Sequence, residues 1–369
     1  MNAVRVGVIG YGYWGPNLVR NFVELPEVEL VAVADLHLSR LAKVKRRYPT
    51  TLITQDYRDL FDLGLDAAVV ATPPTTHYAI ARDCLQHNLH VLVEKPLTVN
   101  GAHAEELIDL AHARRRVLMV GHTFEYNAAV RELKRLIDSG ELGQIYYVDA
   151  VRANLGLFQS KTNVLWDLAP HDVSIILYLL GHNIETVSAQ GTACLLNGVH
   201  DNVYLHLRFA HGVTAHARLS WLDPSKTRRI TVVGSRKMVV YDDVEAIEKI
   251  RIYDKGVEHM LPDDGNGDVS FNYRHGNMVI PHVPVSEPLH DQCQHFISCI
   301  MTNTEPQSNG AVGLKVVRIL EQADFSLRNN GVICPVNLKA PQVQHTDLMA
   351  REVAGVVLQP FQRRAVGLE

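Results

Sequence analysis

Val4-Arg5-Val6-Gly7-Val8-Ile9-Gly10-Tyr11-Gly12-Tyr13-Trp14-Gly15 is a largely apolar, β-branched run that ends in three glycines spaced G-x-G-x-x-G. A short run of this kind suits a strand buried on both faces. From Trp14 to Leu25 the spacing turns helical, with Leu18, Val19, Phe22 and Leu25 on one side. The order is therefore strand, glycine turn, helix. In that setting Gly10 permits a tight turn, Gly12 lets the backbone approach a pyrophosphate, and Gly15 lets the helix pack close to the strand. Free N–H groups at the helix start suit an anion. A second strand, Glu29 to Ala34, ends in Asp35, twenty residues beyond Gly15. A carboxylate there accepts from adenosine ribose hydroxyls and repels a 2′-phosphate, so the expected cofactor is NAD rather than NADP. Arg40 leaves NADP open, because a nearby arginine can partner a phosphate.

Beyond Asp35 the chain alternates. A helix is expected from Ser39 to Tyr48, a short strand near Leu52, a helix around Tyr57 to Leu63 and a buried strand from Asp66 to Thr72. That strand stops at Pro73-Pro74, and a helix capped by Thr75 or Thr76 runs to about His87. The strand His90 to Val93, a helix from about Asn100 to Arg115 and the strand Val117 to Val120 complete the set. Such alternation specifies a parallel sheet with right-handed crossovers and helices on both faces. Residues 1–122 are thus read as an NAD-binding Rossmann domain. Ligands of such sheets bind beyond the carboxyl ends of the strands, where Pro73, Pro74 and Glu94-Lys95-Pro96 lie. Gly10, Gly12, Tyr13, Trp14, Gly15, Asp35, Arg40, Thr72, Pro73, His77, Glu94 and Lys95 are the residues expected against the cofactor.

Near Gly121 the rhythm changes. A helix from about Tyr126 to Asp138 leads into an extended segment, Gln144 to Asn154, and strands dominate thereafter. Asp201 to Phe209 and Val213 to Trp221 flank His211-Gly212 as a hairpin, followed by strands at Ile230 to Val233, Lys237 to Tyr241 and Lys249 to Tyr253. A large antiparallel sheet needs one face covered, and helices at Ala169–Leu180, Pro288–Met301 and Leu314–Asn329 are expected to cover it. The fold class is α/β plus α+β: a Rossmann domain, then an open-faced, mainly antiparallel sheet domain over residues 123–338. Pro262 to Glu287 reads as a long loop, functional or disordered. The tail 339–369 has no readable role.

Composition narrows the class. Over 369 residues, 47% are hydrophobic and 21% charged, as in ordinary globular proteins. A net charge of −4 argues against a nucleic-acid footprint. The basic runs Lys43-Val44-Lys45-Arg46-Arg47 and Arg114-Arg115-Arg116 fall in last turns of expected helices, where cations complement the dipole. Five scattered cysteines, without C-x-x-C spacing, build neither a disulfide framework nor a zinc knuckle. The 19 histidines show no H-E-x-x-H, and no metal is expected. With no signal peptide and no apolar run of membrane-spanning length, the expected location is the cytoplasm, and no membrane partner is expected.

Oxidation of an alcohol needs a group to take the hydroxyl proton as the hydride leaves. Lys95, held beside Pro96 at a strand end, is one candidate; taken alone it also reads as a surface lysine. The second is Trp166-Asp167-Leu168-Ala169-Pro170-His171-Asp172 at the start of an apolar helix. Asp167 and His171 are four apart and can share one side, the carboxylate orienting the imidazole or binding substrate. Asp167 also reads as an N-cap, with Pro170 as an ordinary first-turn proline.

The glycine loop, Glu94-Lys95-Pro96 and the Asp-x-x-x-His at the helix start, in this order, resemble the Gfo/Idh/MocA family of sugar and cyclitol oxidoreductases over roughly residues 4 to 335. The resemblance implies an active site between a Rossmann domain and an open-faced sheet, with Lys95, Asp167 and His171 as the catalytic group. It implies that the histidine accepts the proton while the lysine binds the reacting hydroxyl. Relatives often carry an Arg-Phe-Asn-Pro-like run after the sixth strand, whereas this chain reads His122-Thr123-Phe124-Glu125-Tyr126-Asn127-Ala128. Gly12-Tyr13-Trp14-Gly15-Pro16-Asn17-Leu18 together with Trp166 to Asp172 is most similar to the branch acting on nucleotide-linked sugars such as UDP-N-acetylglucosamine, oxidised at C3. Cyclitol or aminocyclitol oxidation and 3-keto-sugar reduction are the alternatives, and a non-catalytic NAD-binding sensor stands in a separate class. Expected substrate contacts are His122, Tyr126, Asn154, Trp166, Tyr273 and Arg274, on a small-molecule substrate. The resemblance also implies a homo-oligomer, a dimer or tetramer, to which the exposed sheet face is suited.

Overall fold

In the computed structural model, residues 3–160, 162–260 and 270–336 are described; the tail 339–369 and residues 262–269 of the expected loop lie outside them. The first sheet is made of β1 (Val4–Ile9), β2 (Val28–Ala34), β3 (Leu52–Thr54), β4 (Ala67–Val70), β5 (His90–Glu94) and β6 (Leu118–Gly121). Helices α1 (Gly15–Glu24), α2 (Leu38–Arg47), α3 (Pro74–Gln86) and α4 (Gly101–Arg114) lie between them. All pairings are parallel, in the order β3-β2-β1-β4-β5-β6. Every residue of β4 is buried, which is why its sequence is continuously apolar rather than alternating. The order reverses between β1 and β4, opening a crevice at their carboxyl ends.

The chain then forms α5 (Ala128–Asp138), β7 (Ile145–Ala153), α6 (Val164–Leu180), β8 (Ile184–Thr192), β9 (Asn202–Phe209) and β10 (Thr214–Ser220). There follow β11 (Thr227–Gly234), β12 (Met238–Asp242), β13 (Ile250–Met260), β14 (Ser270–Val279), α7 (Pro288–Thr302), α8 (Gly310–Arg328) and the short β15 (Cys334–Pro335). Nine strands make the second sheet, ordered β14-β13-β12-β11-β7-β10-β9-β8-β15. All its pairs are antiparallel except β7 with β10, which run side by side in one direction. Alternation sets the faces: Val203, Leu205, Leu207 and Phe209 of β9 point inward, while Tyr204, His206 and Arg208 point out. The inner face packs with Val173 and Ile176 of α6 and Val316, Ile319 and Leu320 of α8 in one apolar cluster.

Two expectations need correcting, and one strand had no expectation. Ser270–Val279 is a strand, β14, not loop; its sequence, Ser-Phe-Asn-Tyr-Arg-His-Gly-Asn-Met-Val, lacks clean alternation because much of it is exposed. The strand β8 carries an alternating inward set, Ile184, Val187 and Ala189, interrupted by a register shift that blurs the period. The helix α7 does not cover the second sheet. It packs on α1, where Phe22 and Phe296 meet edge to face at 6.4 Å and Leu289, Cys293 and Ile297 join the core of the first sheet.

Candidate active site

The loop after β1 is shaped by close approach. Gly10 has φ +101°, and a Cβ there would meet the Ala71 carbonyl oxygen at 2.6 Å; one on Gly15 would stand 2.2 Å from the Gly10 oxygen. Only glycine fits either place. The helix α1 starts at Gly15 with a proline in its first turn and no side chain capping it, an arrangement that suits an anion. Asp35, just past β2, accepts from Tyr11 N (2.7 Å, Oδ2) and His37 N (2.8 Å, Oδ1), which aims it at this loop. The Arg40 guanidinium pairs with the same carboxylate at 3.2 Å, so Arg40 is not the free cation that a 2′-phosphate would need. Tyr13 and Trp14 line the open side of the loop, with Tyr13 90% exposed. Glycine cradle, bare helix start and placed carboxylate together fit a dinucleotide.

Thr72 and Pro73 follow β4 at the crevice. His77 does not reach it: the ring is fully buried, Nδ1 2.8 Å from the Pro96 oxygen and Nε2 2.8 Å from the Thr72 oxygen. It ties the turn after β4 to the turn after β5, and the expectation of cofactor contact there is corrected.

Lys95 ends β5. Its Nζ donates to the Asp167 main-chain oxygen at 2.9 Å and lies 4.0 Å from Asp167 Oδ1, so one residue from each sheet domain meets there. Burial lowers the ammonium pKa, with Asp167 and Glu94 acting against that fall. Burial also pushes the Glu94 carboxyl up to about 7, opposed by Lys95 and the Trp14 side chain. Asp167 is not an N-cap. Asn163 caps α6, its Oδ1 accepting from Trp166 N at 3.1 Å, and Asp167 sits within the first turns with Pro170 inside the helix. Since Pro170 has no N–H, the Trp166 carbonyl loses its helical donor, and the next carbonyl, that of Asp167, is the one Lys95 takes.

Asp167 does not orient His171 either. Its Oδ2 accepts from Trp221 Nε1 at 3.0 Å. Trp221 follows β10 and is buried against Phe158; sequence reasoning gave it no role, because it lies 54 residues from Asp167 and comes near through the packing of α6 on β10. His171 is half-buried, and its Nδ1 is enclosed with no partner among the described residues. Burial first, then the charges of Lys95 and Arg152, hold its pKa well below the usual range, so the ring is neutral near pH 7.

The expected substrate contacts scatter. Asn154 follows β7, its Oδ1 and the Trp221 ring both bordering Gly156, and Trp166 is half-buried in α6. His122 is fully buried with both ring nitrogens unpartnered, its pKa pressed to about 3 by burial and then by Lys95, so it lies beneath the site surface. Tyr126 is fully buried with its hydroxyl 3.0 Å from Ser308 Oγ and cannot touch a substrate. Tyr273 and Arg274 sit on β14 at the sheet edge; Arg274 pairs with Asp254 and Glu258, and neither residue joins the Lys95 group. Among the described residues, no cluster of His, Cys, Asp and Glu could hold a metal, and no helix is long and apolar enough to cross a membrane.

Known proteins share this architecture. The Gfo/Idh/MocA family model described as an oxidoreductase family with NAD-binding Rossmann fold matches residues 4–122, and the family's C-terminal domain model matches 130–240. The chain is 31% identical over 252 residues to the uncharacterized oxidoreductase YdgJ of Escherichia coli K12, covering 63% of this chain and 69% of that one. It is 27% identical to the UDP-N-acetylglucosamine 3-dehydrogenase of Acidithiobacillus ferrooxidans (69% and 78% covered) and 25% identical to the myo-inositol 2-dehydrogenase of Thermotoga maritima (65% and 76%). The solved structure of the Acidithiobacillus enzyme, GnnA, superposes with a TM-score of 0.75 at 23% identity, covering 89% of this chain and 99% of GnnA.

Proposed function

The chain belongs to the Gfo/Idh/MocA family of NAD-dependent oxidoreductases, and from that premise we propose that it oxidises a ring secondary alcohol of a nucleotide-linked sugar, at C3 of UDP-N-acetylglucosamine or a close relative. The observation that carries the reading is the meeting of Lys95 from the first sheet with Asp167, one helical turn before His171, from the second domain. In this reading Lys95 Nζ donates to the reacting oxygen and stabilises its growing negative charge. His171, neutral near pH 7, accepts the hydroxyl proton. Asp167, held by Trp221, keeps the ammonium in place. NAD, once bound at the glycine loop, would supply the hydride-accepting chemistry. One alcohol and NAD become one ketone, NADH and a proton.

The same group suits a cyclitol, and the 25% identity with a myo-inositol 2-dehydrogenase favours that as the second reading. Purified protein with NAD is expected to form NADH on UDP-N-acetylglucosamine, with an aminotransferase added to withdraw the ketone. Turnover of inositols and of no UDP-sugar would replace the first reading with the second. Lys95→Met is expected to lower kcat by about 10²- to 10³-fold while NAD binding, followed by fluorescence quenching, stays nearly intact; equal loss of both would assign Lys95 to structure instead.

A further inference from the structure

Among the described residues, His171 has no polar side-chain partner to aim it. Its Nδ1 is enclosed without an acceptor, and the carboxylate one turn before it is engaged by Trp221. What touches the imidazole is Phe124, whose ring meets it edge to face at 5.1 Å and an interplanar angle of 75°. The Arg152 guanidinium also lies over the Phe124 ring, its Cζ 4.6 Å from the ring centroid. Arg152 is itself fixed. Its Nε and Nη2 donate to Asp172 Oδ2 and Oδ1 at 2.7 and 3.1 Å in a buried, two-pronged pair. Phe124 stands in the turn Thr123–Tyr126 just after β6, Arg152 on β7 and Asp172 beside His171 on α6, so three elements close one circuit.

We propose that Phe124, clamped by the Arg152–Asp172 ion pair, is a positioning residue that holds the His171 ring toward the end of Lys95 and keeps water from it. This rests on the reading of His171 as the proton acceptor. Edge-to-face packing and a cation over the ring both favour one ring orientation. A general base must also stay within hydrogen-bond reach of its proton, and a shift of about 1 Å is costly. The ionisable groups that act on His171 are Lys95 at the end of β5, Arg152 on β7, His122 at the end of β6 and Arg228 on β11; Asp167 and Asp172 lie on its own helix. All but the two aspartates oppose a positive imidazole, and Asp172 is spent on Arg152. Opening the Phe124 side therefore adds water and raises the pKa toward the ordinary histidine value.

The test is the titration of His171, followed by NMR on histidine-labelled protein and assigned with His171→Gln, in wild type, Phe124→Leu, Phe124→Met and Phe124→Tyr. Loss of the ring is expected to raise the midpoint by about one pH unit or more, and the ring-keeping Tyr variant to hold it low. In kinetics, the acid limb of kcat/KM moves to higher pH and kcat falls by roughly tenfold or more for Leu and Met, with most of it recovered by Tyr. A folded Leu or Met variant with unchanged titration and unchanged kcat overturns the proposal. If neither variant folds, the wild-type protein decides: cross-relaxation between the Phe124 and His171 rings supports the contact, and its absence refutes it. If the titration shifts as expected while no alcohol is oxidised, the functional reading fails and the positioning role stands.

Discussion

At the scale of single residues, the site is a set of side chains whose partners come from far along the chain. Asp167 shows this best. Its i, i+4 relation to His171 allows a carboxylate–imidazole pair, yet an indole N–H takes the carboxylate instead. A hydrogen bond to a charged group contributes about 1.5–3 kcal/mol. Trp221→Phe is therefore expected to lower kcat by about one to two orders of magnitude, with NAD affinity little changed; an unaltered kcat would show that Asp167 needs no such support. Glycine spacing and the short motif Glu94-Lys95-Pro96 were legible because their chemistry is local: backbone approach, a strand end, a neighbouring proline. Trp221 and Phe124 were not, since an apolar side chain reads as core until tertiary pairing shows what it faces, and Arg152 was not, since its buried partner Asp172 lies 20 residues away on another element.

At the scale of elements, the sequence was most readable where period and burial agree. The strand β4 is buried throughout, β1 at all but Arg5 and β5 at all but Glu94; they alternate with helices, and all were evident. Helix starts were harder. Asn163 rather than Asp167 begins α6, because both residue types cap and a tryptophan and a leucine between them keep the pattern ambiguous. Asn163 also donates through Nδ2 to Asp324 Oδ1 at 3.0 Å, tying α6 to α8. Asn163→Ala is expected to destabilise the protein by about 1–2 kcal/mol, read as a lower urea midpoint with unchanged slope. Strand β14 was hidden for the opposite reason: an exposed edge strand has no face that must be apolar.

At the scale of the molecule, the chain folds back on itself. Helix α7 lies more than 260 residues after α1 in sequence, yet its Phe296 fills the apolar surface under Phe22. No local pattern announces this, since the apolar stripe of α7 would serve either sheet. Phe296 is fully buried. Phe296→Ala is expected to cost about 3–5 kcal/mol and to weaken NAD retention along with thermal stability; a shift confined to the second domain's hydrogen exchange would contradict that packing. The single parallel pair in the second sheet has a consequence of its own. Because β7 and β10 run the same way, the chain leaves both at one rim, where Asn154 N donates to Ser220 O at 3.2 Å and Gly156 N to Trp221 O at 2.9 Å. The two exit segments are thus tied to each other by main-chain hydrogen bonds. Exchanging both with those of a relative should transplant substrate preference intact, whereas exchanging one alone should sever these rungs and leave a hybrid that serves neither substrate.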